Sequence, residues 1–280
     1  MVDTSDGRTL GVCLGGDPDG APLFWLHGMP GSRLLRHSEH LYVSRRIQVC
    51  TYDRPGYGLS TRRLGRSVGD VADDVEQIAD ALGWDRFAVA GVSAGGGPAL
   101  AAAARLRDRV DRCATVVALA PFGADGLDFF AGMDEKDRTD WQKAAGGDAS
   151  AVLAEWDELM EWVADGLPGV DLPAETTEML RAAFMEAGRQ GPSGFLDDSA
   201  ASVREWGFAI EDVQAPTRVM VARDDTAVPA AHGDWLVRRI RDARLVPVAG
   251  GHLGPRVEPE AELLTWLGHG DNRRGDSPKG

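Results

Sequence analysis

The stretch Phe87-Ala88-Val89-Ala90-Gly91-Val92-Ser93-Ala94-Gly95, followed by an alanine-rich run from Pro98 to Leu106, decides how the rest of the chain is read. Phe87 to Ala90 is short and apolar, as expected of a strand buried on both faces. The run from Pro98 has the composition of a helix. Between them lies a G-x-S-x-G turn in which Ser93 must adopt strained backbone angles. Only uncrowded neighbours permit that, so Gly91 and Gly95 have a physical reason to be there. The turn would lift the Ser93 hydroxyl above the sheet edge, where the helix N-terminus favours developing negative charge. The plain alternative is a glycine-rich strand-to-helix turn without chemistry.

Moving outward, short apolar runs recur at Ile47 to Tyr52, Thr115 to Leu119, Arg218 to Val221 and Leu245 to Val248. They read as strands buried on both faces. Thr9 to Leu14 and Leu23 to Leu26 flank the turn-rich residues Gly15 to Gly20, which predicts a hairpin opening the sheet. Val68 to Leu82 carries Val71, Val75, Ile78, Ala79 and Leu82 on one helical stripe and stops at Gly83. Strands alternating with helices indicate an α/β protein with a mostly parallel sheet covered on both faces, whose functional loops lie at the carboxyl ends of the strands.

The alternation stops over residues 121–205, where helical patterns continue without a convincing strand. This segment is expected to be a helical lid between two parts of one core, 1–120 and 206–267, and 268–280 is expected to be a disordered tail. In the lid, carboxylates outnumber basic residues by about three to one. Its aromatics, Phe122, Phe129, Phe130, Trp141, Trp156, Trp162 and Phe184, would form either an apolar pocket over Ser93 or the lid's own core.

The 280 residues are 43% hydrophobic and 26% charged, ordinary for a folded soluble protein. A net charge of -14 argues against nucleic acid and anionic membranes as partners. Cys13, Cys50 and Cys113 are widely spaced and read as reduced core residues. No apolar run suits a signal peptide or a membrane span, so a cytoplasmic monomer or homodimer acting on a small molecule is expected.

Two further segments carry a family resemblance. Leu23-Phe24-Trp25-Leu26-His27-Gly28-Met29-Pro30-Gly31 resembles the strand and HGxP oxyanion loop of the α/β-hydrolase superfamily, and Tyr52-Asp53-Arg54-Pro55-Gly56-Tyr57-Gly58-Leu59-Ser60 resembles its DxxGxGxS segment. Gly91 to Gly95 would then be the family's nucleophile elbow. The resemblance implies the α/β-hydrolase fold, with the lid inserted after the sixth strand. It also implies an oxyanion hole from the backbone N–H groups of Met29 and Ala94, with His27 and Gly28 supporting the loop.

A serine hydroxyl needs a base close by with a pKa near neutrality. Of the six histidines, His252 follows a late strand in a Gly-Gly-His turn, the position of the family's catalytic histidine. His37, His40, His232 and His269 sit in polar contexts and read as solvated. Val221-Ala222-Arg223-Asp224-Asp225-Thr226-Ala227-Val228-Pro229 resembles the family's GxxDxxVP, with Ala222 in place of glycine. The spacing to Val228-Pro229 selects Asp225 as the acid, with Asp224 as fallback. The order Ser93, Asp225, His252 is the one the fold requires.

Hydrolysis of a carboxylic ester through an acyl-enzyme on Ser93 is the expected activity, with neither metal nor organic cofactor. Serine at the elbow disfavours the aspartate-based dehalogenase and epoxide hydrolase routes. A second reading is an aminopeptidase like the proline iminopeptidases, with Asp134, Glu135, Asp137, Glu155, Glu158 and Glu161 holding a free amine. The HGGPG and GGSWG patterns of that family are absent. A third is a non-hydrolytic receptor or lyase on the same scaffold.

Overall fold

The structure, a computed structural model, describes residues 1–254 and 257–270. In chain order the strands are β1 (Val2–Asp3), β2 (Thr9–Leu10), β3 (Val12–Gly16), β4 (Ala21–Leu26), β5 (Ile47–Tyr52), β6 (Phe87–Val92), β7 (Val110–Val116), β8 (Thr217–Ala222) and β9 (Ala243–Val248). The helices are α1 (Glu39–Val43), α2 (Val71–Leu82), α3 (Gly96–Arg105), α4 (Glu135–Ala145), α5 (Ala149–Ala164), α6 (Ala174–Ala187), α7 (Ser193–Ser202), α8 (Ala230–Arg239) and α9 (Val257–His269). β1 and β2 form a separate antiparallel pair. The other seven strands form one sheet in the order β3-β5-β4-β6-β7-β8-β9, parallel throughout except for β3 against β5.

The expected hairpin does not form. β3 pairs with β5, and β5 in turn lies beside β4. Leu23, Phe24, Trp25 and Leu26 are all buried, so β4 needs a strand on each edge and a helical layer on each face, which an edge hairpin could not supply. The link across residues 17–21 instead pins itself to the start of β5, Asp17 N–H donating to Ile47 O and Ala21 N–H to Arg46 O.

Helices α2, α3 and α8 cover one face of the sheet, with Val75, Ile78, Leu100, Trp235 and Leu236 in its core. Tyr42 of α1 and Leu263, Leu264, Trp266 and Leu267 of α9 cover the other. The α2 stripe is as expected, and Gly83 ends the helix in a left-handed conformation with φ 69°. β7 starts earlier than the apolar run suggested and stops at Val116, because Val117 turns left-handed with φ 46°. β9 lies at the sheet edge and is partly exposed rather than buried on both faces, with Leu245 open to solvent.

Helices α4 to α7 lie in the chain between β7 and β8, within the segment read as an insertion. They follow the fifth strand of the large sheet rather than a sixth, because β1 and β2 pair apart from it. At the other end, α9 continues to His269, past the expected end of the core. The tail expectation for 271–280 lies outside the described residues.

Candidate active site

Ser93 stands between β6 and α3 with φ 53°, a left-handed conformation that costs an L-residue about 1–2 kcal/mol. Its neighbours show why the turn is glycine-rich. A Cβ on Gly91 would lie 2.0 Å from Gly95 O, and one on Gly95 would lie 2.4 Å from His27 O and 2.5 Å from Leu26 O. These two glycines let the elbow close on itself and press against the end of β4.

The expected residues meet. His252 Nε2 lies 2.9 Å from Ser93 Oγ, and its Nδ1 lies 2.8 Å from Asp225 Oδ2. The Asp225 side chain is fully buried. Its other oxygen accepts the N–H groups of Ala227 (3.0 Å) and Val228 (2.8 Å), which is the reason for its spacing from Val228-Pro229. With Oδ1 held by two amides, Oδ2 faces the imidazole and selects the tautomer that carries its proton on Nδ1.

Asp224 is exposed and points elsewhere. It donates its N–H to Gly250 O (3.1 Å) and accepts from Gly250 N–H (3.3 Å) through its carboxylate, so it ties down the turn that presents His252.

The loop after β4 passes beside the elbow. A Cβ on Gly28 would lie 3.3 Å from the Ser93 Cβ and 3.9 Å from its Oγ. His27 is buried, with Nδ1 2.8 Å from Gly28 O and Nε2 3.2 Å from Arg54 N. Burial and the adjacent Arg54 charge hold its pKa well below the usual histidine value, so it is a neutral strut: Nδ1–H donates, and Nε2 accepts the Arg54 N–H.

Arg54, also buried, donates to His27 O through Nη1 and to Gly28 O through Nη2 (2.8 Å). Asp198 of α7 accepts from Arg54 Nε and Nη2, from Arg66 Nη2 and from Tyr57 Oη (2.9 Å). Burial alone would raise the Asp198 carboxyl, but the two guanidinium groups outweigh it and hold its pKa below the ordinary value. No motif flagged Asp198, Arg66 or Tyr57 as a set. They lie in separate segments of the chain that only folding brings together.

Ser93, His252, Met29 and Ala94 open into a cavity of about 1120 Å³, also lined by residues of α4, α5 and α6. Of the insertion's aromatics, Trp141, Trp162 and Phe184 reach this lining. Phe122, Phe129 and Phe130 cluster with Leu119, Met133 and Val228, while Trp156 packs with Tyr57 and Phe195. The rings thus divide between the cavity wall and packed clusters that also draw in Tyr57, Leu119 and Val228 from outside residues 121–205.

The cavity wall carries Asp137, Asp140, Glu155 and Glu158 around Lys136. Burial raises Asp137 to about 6, helped by Asp134, and raises Glu155 to about 7, helped by repulsion from Asp140. Lys136 Nζ is 2.7 Å from Asp140 and 3.6 Å from Glu158.

The remaining histidines depart in part from the solvated reading. His232 is buried: its Nδ1 accepts Ala120 N–H (3.1 Å) and its Nε2 lies 3.0 Å from Phe129 O, and burial lowers its pKa to about 4. His37 is partly buried against Trp25 and lies 3.4 Å from Glu260. His40 and His269 are exposed. Among the described residues, no three His, Cys, Asp or Glu side chains are grouped as metal ligands would be. The three cysteines are unpaired thiols, with Cys50 and Cys113 buried and Cys13 partly so.

A family model described as "alpha/beta hydrolase fold" matches residues 21–259. The chain is 30% identical over 267 residues to a protein named putative carbamate hydrolase RutD from Azorhizobium caulinodans, covering 91% of this chain and 96% of that one. It is 33% identical over 106 residues to a proline iminopeptidase from Xanthomonas citri, covering 37% of this chain and 34% of that one. An esterase structure from Exiguobacterium antarcticum superposes with a TM-score of 0.70 at 19% identity, over 94% of this chain and 95% of the other, a likeness of fold.

Proposed function

Because this chain belongs to the α/β-hydrolase-fold family, we propose that it is a serine hydrolase cleaving a carboxylic ester of a small or medium-sized molecule through an acyl-enzyme on Ser93. The observation that carries this reading is the continuous hydrogen-bonded line from Ser93 Oγ through the His252 ring to the buried Asp225, at the floor of a cavity large enough for such a ligand.

In this mechanism His252 Nε2 takes the hydroxyl proton as Ser93 Oγ attacks the carbonyl carbon. The imidazolium that forms is stabilised by Asp225, whose charge faces its Nδ1–H. The tetrahedral oxygen accepts from the N–H groups of Met29 and Ala94. Such donors are worth about 3 to 4 kcal/mol each by mutational precedent. His252 then returns the proton to the leaving alcohol, and water, deprotonated by the same ring, releases the acid. Helices α4 to α7 act as a lid that shields these steps.

A second reading has one observation in its favour. Asp137, Glu155 and Glu158, three of the six acidic residues singled out in the insertion, line the same cavity and would suit a substrate with a free amine. Against it, Lys136 already neutralises part of that charge. A carbamate, cleaved by the same acyl transfer, is also compatible with the cavity and with the naming of the Azorhizobium relative.

Labelling by a fluorophosphonate probe, lost in Ser93→Ala, tests the nucleophile. A panel of p-nitrophenyl esters, p-nitrophenyl carbamates and aminoacyl-naphthylamides tests the substrate class. Esters are expected to be cleaved fastest. Labelling that persists in Ser93→Ala, or faster turnover of the amides, would overturn the proposal.

A further inference from the structure

We infer that Arg54 and Asp198 form a buried clamp that sets the direction of the Gly28–Met29 peptide, which makes both of them positioning residues for the oxyanion hole. The inference rests on the reading of Met29 N–H as an oxyanion donor. Gly28 O and Met29 N–H belong to one planar trans peptide and point in opposite directions. Whatever holds the carbonyl therefore aims the amide.

Two donors hold Gly28 O: Arg54 Nη2 and His27 Nδ1, each at 2.8 Å. Arg54 Nη1 holds His27 O, so one rigid guanidinium fork grips two successive carbonyls of the loop. With Gly28 packed beside the Ser93 side chain, this grip fixes the peptide next to the reacting hydroxyl. A cation on the carbonyl oxygen also polarises the peptide, making Met29 N–H a stronger donor.

The guanidinium is itself held in place by Asp198, whose carboxylate it shares with Arg66 and Tyr57. Stability is a poor reason for such a group, since buried ion pairs are often matched or bettered by apolar residues of similar volume. The two arginines and one carboxylate leave a net positive charge beneath the loop, the sign that suits an oxyanion. Asp198 belongs to α7, and its neighbour Ser199 has Oγ 3.6 Å from Met29 Sδ, so this helix meets the loop directly at Met29 and indirectly through Arg54.

The test uses Arg54→Lys, which keeps the charge but loses the fork, and Asp198→Asn. Tyr57→Phe, which removes one donor to Asp198 and no charge, serves if Asp198→Asn does not fold. The first arm measures turnover of p-nitrophenyl acetate and of its thiono analogue, in which sulfur replaces the carbonyl oxygen. Sulfur is a poor acceptor, so a well-aimed hole discriminates strongly between the two.

The expected result is a fall in kcat of about tenfold to a hundredfold, less than deleting a donor outright, with KM nearly unchanged. The preference for the oxygen ester should shrink with it, while the pH profile keeps its midpoint. The second arm needs no turnover. A crystal structure of Arg54→Lys in a Ser93→Ala background should show the Gly28 carbonyl rotated from its present direction.

An unrotated peptide, or a lower kcat with discrimination intact, overturns the clamp. If the parent enzyme cleaves no ester while the peptide does rotate, the ester-hydrolase reading falls and the clamp on the peptide stands.

Discussion

Asp225 and His252 lie 27 positions apart in the chain, yet the imidazole Nδ1 sits 2.8 Å from a carboxylate oxygen that solvent does not reach. That carboxylate's other oxygen is committed to two backbone amides. Asp225→Asn should therefore lower kcat by about 10⁴-fold, by presenting an amide where the ring needs an acceptor. Asp224→Asn at most weakens one exposed hydrogen bond, from Gly250 N–H, and should stay within about tenfold, since such a bond contributes about 1 kcal/mol. Steady-state kinetics of the two variants check this, and the reverse ranking would transfer the role to Asp224.

The left-handed backbone at Ser93 is a cost that glycine would not incur. Ser93→Gly and Ser93→Ala should both be inactive, but the glycine variant should be the more stable by about 1 kcal/mol. Thermal unfolding of the pair is the measurement. Equal melting temperatures would mean that the elbow stores no strain.

Gly95 makes no bond to a reacting atom in the proposed chemistry, yet a Cβ there would collide with His27 O and Leu26 O. Gly95→Ala must push the elbow away from the end of β4 and the loop that follows it, which should cost about 1–3 kcal/mol and most of the activity. Full esterase activity in a stably folded Gly95→Ala protein would contradict the close approach.

The pKa of Glu155 is raised to about 7 and that of Asp137 to about 6, so between their ordinary values and these the folded state binds more protons than the unfolded chain. Stability then falls as pH rises through that window: the unfavourable contribution is absent near pH 4 and complete above about pH 7. Glu155→Gln should melt at a higher temperature than the parent at pH 8 and differ little from it at pH 5. Parallel melting curves across that range for the two proteins would refute a role for Glu155.

Much of the site is legible in the sequence, the serine turn from local backbone geometry and the candidate acid and base through the family resemblance. The elbow needs Gly91 and Gly95 around Ser93. Asp225 needs amides two and three residues on, and His252 needs a loop after a terminal strand. Each requirement leaves a short-range mark.

The sheet order beside β4 is not legible in the sequence, because pairing partners are not a local property. Leu23 to Leu26 show that the strand is buried, but not which strand lies beside it. The burial of His232 is not legible for a similar reason: its partners in space, Ala120 and Phe129, lie more than a hundred positions away in the chain.

What the sequence determined by itself was the alternation of strands and helices and the strained serine turn, since both follow from sterics and hydrogen bonding within a few residues, whereas the order Ser93, Asp225, His252 is legible only through the family resemblance. Only the tertiary structure decided that Asp198, from a helix with no motif, holds the Arg54 guanidinium that grips the loop after β4, and which acidic and aromatic side chains of the insertion face the cavity. Those arrangements join segments more than a hundred positions apart, and charges so distant in sequence meet only once the packed core has excluded water and chosen their partners.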